Sequence, residues 1–141
     1  MRIARIVSLL ALGVGIVLGL GILFGPFYYG CTVTVSPGQT PAPQICRGSS
    51  LIEIQGAEHL FPAPLLWIAA WSLAPLLAVT GVWTGRWRSQ LIALAILIEL
   101  TGIISLGGGF IFTLLIEPLL LVTLIASRRA APLATPNVAM G

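Results

Sequence analysis

Two glutamates, Glu99 and Glu117, stand in the stretch ILIELTGIISLGGGFIFTLLIEPLLL (residues 96–121), whose other residues are apolar, small or hydroxyl-bearing. No Lys, Arg or His lies in that stretch to neutralise them. A charged side chain at the centre of a bilayer costs on the order of 2.5–3.5 kcal/mol by insertion scales. Acids retained against that cost form proton relays, cation sites or interhelical hydrogen bonds. With Gly108 as the apex of a helical hairpin, Glu99 lies nine residues before it and Glu117 nine after, each about 13 Å from the turn along its helix. That places both carboxyl groups at one depth, on adjacent antiparallel helices, where each discourages the charge of the other.

Two kinds of chemistry fit such a pair. In one, Glu99 and Glu117 are the titrating groups of a small proton- or cation-coupled transporter that acts as an oligomer. In the other they hydrogen-bond one helix to the next, or to a partner subunit. Few other polar side chains are available: Ser8 in the first helix, Ser72 and Thr80 in the second, and Thr101, Ser105 and Thr113 in the hairpin before its cytoplasmic end. A conduction path needs polar lining over much of the bilayer. The first expectation is therefore a non-enzymatic accessory or structural subunit that packs against partner membrane proteins or copies of itself, with the transporter as the alternative. The absence of Lys excludes a P-loop, His59 is the one histidine, and neither H-E-x-x-H nor G-x-S-x-G occurs. No enzyme activity, cofactor or metal is expected, and no motif assigns a family.

The elements that must position the pair follow from composition. The 141-residue chain is 57% hydrophobic and 8% charged, with a mean hydropathy of +1.06, whereas a soluble domain carries about 25% charged residues. Hydrophobic stretches near 6–24, 63–83, 90–106 and 109–126 predict an all-α integral membrane protein with four transmembrane helices. They form one membrane domain over residues 1–127, with an external loop at 26–62 and a flexible cytoplasmic tail at 128–141. The third stretch is short, about 25 Å as a helix, so a full crossing and a re-entrant hairpin both fit it. The first apolar run is longer than the 7–15 residues of a signal-peptide core and no A-x-A-like site follows, so it is expected to be retained.

Arg2 and Arg5, Arg86 and Arg88, and Arg128 and Arg129 flank the helix ends in pairs, which puts both termini in the cytoplasm of a multi-pass plasma (inner) membrane protein. The net charge of +3 is thereby a topological signal rather than a nucleic-acid surface. Trp67 and Trp71 fall toward the outer interface and Trp83 and Trp87 toward the inner one. Pro75 and Pro118 predict kinks. Gly15 with Gly19, and Gly21 with Gly25, mark two small-residue faces for helix packing.

The external loop holds both cysteines, Cys31 and Cys46, a spacing that suits a structural disulfide worth about 3 kcal/mol in the chain-entropy model. CTVTVS (31–36) and SLIEIQG (50–56) alternate like short strands around the turn-rich PGQTPAPQ, which predicts a small hairpin. His59, Glu53 and Glu58 read as solvated polar residues, since their spacing matches no metal site.

Overall fold

The computed structural model describes residues 2–32, 45–56, 58–104 and 108–129, and the chain is mostly helical over them. The elements are α1 (Arg2–Phe24), β1 (Tyr28–Thr32), β2 (Ile45–Ser49), α2 (Leu51–Gln55), α3 (Ala63–Thr84), α4 (Arg88–Leu100), a 3-10 turn (Thr101–Ile104) and α5 (Gly109–Arg129). The C-terminal residues 130–141 lie outside the described residues.

Three helices, α1, α3 and α5, are long and apolar enough to cross a membrane. The four long helices pack in a ring, α1 against α3 and α5, and α4 against α3 and α5, with α3 and α5 closing across the middle. Neighbours run antiparallel. Arg5 stacks over the Trp83 ring at 5.1 Å, Trp71 reaches Thr101, and Arg88 reaches Ser127. The six paired arginines thus gather at one end of the bundle and the β-hairpin at the other. The shared core is Ile68, Trp71, Val82, Ile92, Phe112, Ile116 and Leu120, and the alanines Ala4, Ala11, Ala78 and Ala95 let the helices approach.

Gly15 and Gly19 of α1 face α3: a Cβ on Gly15 would sit 2.7 Å from the Ser72 carbonyl oxygen, and one on Gly19 would meet the Ser72 hydroxyl. Gly21 and Gly25 instead meet the ring of Phe27, which folds back along α1. That second small-residue face serves the chain's own exit segment rather than another helix. Pro75 and Pro118 lie inside α3 and α5, which continue through them. Pro64 occupies the first turn of α3, where its missing N–H has no intrahelical role.

The external hairpin forms, and its first strand shares Cys31 and Thr32 with the expected one, whereas its second strand is a different segment. β1 begins at Tyr28, and residues 33–36 lie outside the described residues. β2 is ICRGS at 45–49, with Cys31 directly opposite Cys46 in the antiparallel register. The disulfide joins those two residues. SLIEIQG, read as a strand, is instead helix α2. Ser50 accepts from the Glu53 backbone N–H while the Glu53 carboxylate accepts from the Ser50 N–H, a complete capping box. Local capping outweighs a period-2 pattern over so few residues.

Candidate functional site

The helical hairpin that carries the two glutamates is less symmetric than Gly108 as apex implied. α4 stops at Leu100, and the chain continues as a 3-10 turn, which rises about 2.0 Å per residue instead of 1.5. Across the gap, the Thr113 hydroxyl donates to the Glu99 backbone carbonyl at 2.6 Å. A Cβ on Gly102 would lie 2.6 Å from the Gly109 carbonyl oxygen. Glu99 is therefore level with Thr113, and Glu117 lies one turn, about 6 Å, closer to the arginine end.

Side-chain direction compensates for the offset. Helical Cβ atoms tilt toward the N-terminus of their own helix. For antiparallel α4 and α5 this leans Glu99 toward the arginine end and Glu117 toward the hairpin end, so the carboxyl groups converge. They lie within electrostatic reach of each other. Glu99 is fully enclosed, at 0% exposure, and Glu117 is half-buried.

Neither oxygen of Glu99, nor Oε2 of Glu117, has a hydrogen-bond partner among the described residues. The bond that ties α4 to α5 here is the one from Thr113, not a carboxyl-to-carboxyl bond. Nearby hydroxyls are committed to the backbone at the end of α4: Thr101 donates to the Ile98 carbonyl at 2.6 Å while accepting from the Trp71 indole N–H at 3.1 Å. The Ser72 hydroxyl, on the face of α3 that meets Gly19 of α1, is buried without a partner among the described residues.

Trp71, read as an interfacial anchor, is a core residue at 6% exposure, whereas Trp67, Trp83 and Trp87 are more than half exposed. Its ring lies 5.6 Å from that of Trp67 and 6.0 Å from that of Phe112. Toward the arginine end, α5 buries Thr123 and Ser127, whose hydroxyls donate to Leu119 and Leu124 carbonyls. The 3-and-4 spacing of Thr113, Ile116, Leu120, Thr123 and Ser127 carries that seam in the sequence. Arg88 closes it by donating to the Ser127 carbonyl at the C-terminus of α5, at 3.3 Å.

In the outer segment, Glu53 caps α2 and lies 3.9 Å from Arg47, and Glu58 lies 3.9 Å from His59, all on the surface. Among the described residues no three His, Cys, Asp or Glu side chains cluster as metal ligands. Compared with known protein families, with curated proteins and with solved structures, the chain matches none.

Proposed function

We propose that the protein is a non-enzymatic, four-span membrane protein that handles protons or small cations through Glu99 and Glu117. One observation carries this: a fully enclosed carboxyl group whose two oxygens have no partner among the described residues, with a second carboxyl group within electrostatic reach. A purely structural acid would make a hydrogen bond, because an unmade one at a buried group costs about 1–3 kcal/mol. Thr113 already supplies the interhelical bond at this level. A subunit-contact acid would reach the surface, and Glu99 does not.

The fourth crossing is α4 together with its 3-10 turn, about 28 Å of helix, close to a hydrocarbon core of about 30 Å. The arginine end faces the cytoplasm under the positive-inside rule. The disulfide end faces the oxidising exterior of the plasma (inner) membrane.

The test is proton flux in proteoliposomes bearing an internal pH dye. The double variant Glu99→Gln, Glu117→Gln keeps hydrogen-bonding amides but cannot titrate. It is expected to lose flux while retaining the wild-type elution profile in detergent; undiminished flux in it refutes the proposal.

One observation favours a second reading, an accessory subunit or homo-oligomer. The outer face of α1 carries a shallow apolar groove of about 550 Å³ along Ile6, Leu10, Gly13 and Val17. Gly13 has open space over it, enough for a neighbouring helix to pack closely. Native mass spectrometry of protein extracted gently from its own membrane separates these states: a stoichiometric larger partner supports the subunit, and a protein free of partners excludes it.

A further inference from the structure

Above the glutamate layer, at the hairpin end of the bundle, lies a cleft of about 260 Å³ whose walls include Tyr28, Trp67, Trp71 and Phe112, with Gln55 as its amide-bearing side chain. Its floor is the Trp71–Phe112 pair. Phe112 directly precedes Thr113, which holds the Glu99 carbonyl, so the floor of the cleft lies next to the level of Glu99. Trp67 and Trp71 also border a second groove of about 420 Å³, shared with Thr101 and Ile104. The tryptophan pair is thus a partition between the cleft and the outer surface beside α4.

We propose that this cleft binds a small organic cation with an apolar body, of the quaternary-ammonium class. The proposal deepens the reading of Glu99 and Glu117, and rests on it for any movement of the ligand past the floor. Aromatic faces attract cations through the ring quadrupole, most strongly where water is excluded, and tryptophan is the strongest such face.

No Lys, Arg or His is among the lining residues. The one described arginine at this end, Arg47, lies 3.9 Å from Glu53. The six others lie at the far end of the bundle, so the long-range field also favours a cation here. An inorganic cation such as Ca²⁺ would need about 6–8 oxygen ligands, far more than Gln55 and Tyr28 offer. An anion would find no cationic side chain. The volume lies just below the usual range for small-molecule sites, about 300–1,000 Å³, which restricts the ligand to a compact one.

The chain has four tryptophans, so a Trp83→Phe, Trp87→Phe background leaves only the two cleft tryptophans as fluorophores. In nanodiscs, benzyltrimethylammonium should quench that emission saturably, and its uncharged isostere neopentylbenzene should not. Trp67→Leu, a change at a half-exposed position, should weaken the ammonium affinity about tenfold. Equal binding of the neutral isostere overturns the cation class, and no saturable response to either compound overturns the site. Proton flux in the double glutamine variant is read separately. Flux that needs the glutamates without ammonium binding leaves the acid pair standing and removes only the cleft proposal. Ammonium binding with flux unaffected by the glutamines removes the acid pair and keeps the cleft.

Discussion

At the residue scale, the layer around Glu99 depends on two close approaches between α4 and α5. Thr113→Val is nearly isosteric but removes the donor to the Glu99 carbonyl. It is expected to lower stability by about 1 kcal/mol, the usual net worth of one hydrogen bond, with Thr113→Ser restoring most of it. Gly102→Ala forces a Cβ to 2.6 Å from the Gly109 carbonyl oxygen and 2.7 Å from the Thr113 hydroxyl. Neither contact can be relieved without moving the helices, so a loss of about 1–3 kcal/mol is expected. Denaturation of purified protein in mixed micelles reads both, and a neutral Gly102→Ala would show that the two helices do not pack this closely. The acids themselves were legible in the sequence because an ionisable residue is conspicuous against apolar neighbours. Their one-turn offset was not, since it depends on where an α-helix tightens into a 3-10 turn. Nor was the burial of Trp71, because a tryptophan near a helix end suits both an interface and a core.

At the element scale, the disulfide and the capping box hold the outer segment by different means. Cys31 and Cys46 are 15 residues apart in sequence, and closing such a loop is worth about 3 kcal/mol in the chain-entropy model. Because β1 and β2 form a two-stranded sheet, which is marginal without support, that energy falls mainly on the hairpin. The double variant Cys31→Ser, Cys46→Ser should raise the open population of the hairpin by about two orders of magnitude. Arg47 is the one tryptic site between Arg5 and Arg86, so trypsin should cut after it far faster in the variant, with helical circular dichroism unchanged. Equal cutting rates in both proteins would mean that other contacts hold the hairpin. The cysteine pairing could be read from spacing and compartment. The strands were legible only at Cys31 and Thr32, because residues 28–30 and Ile45–Ser49 lack the alternation that marked their neighbours. Glu53 illustrates the converse: the S-x-x-E signature of a capping box was present in SLIEIQG, and it dominates where a strand has no third neighbour to pair with.

At the scale of the whole molecule, the packing and the charge pattern constrain each other. Antiparallel neighbours collect Arg2, Arg5, Arg86, Arg88, Arg128 and Arg129 at one end without reference to any membrane, and in the reading proposed above the positive-inside rule would assign that end to the cytoplasm without reference to packing. The agreement leaves one element undetermined by either argument, since α4 and its 3-10 turn return the chain to the same side whether they cross the bilayer or turn back within it. Ile104 decides the matter. It ends the 3-10 turn and is 84% exposed, so a single cysteine there, in the Cys31→Ser, Cys46→Ser background, stands clear of the bundle. If α4 and the turn together cross about 28 Å, that thiol reaches the outer interface. A membrane-impermeant maleimide added to intact cells should then label Ile104→Cys as fully as a control His59→Cys in the outer segment. A re-entrant hairpin leaves position 104 in hydrocarbon, where thiolate formation and the polar reagent are both excluded, and labelling would fall to background. The outcome also fixes the environment of Glu99. A crossing places it about 17 Å from the arginine end and nearer the outside, within a short step of the aromatic cleft. A re-entrant loop would strand it far from either aqueous phase and leave proton exchange without a route.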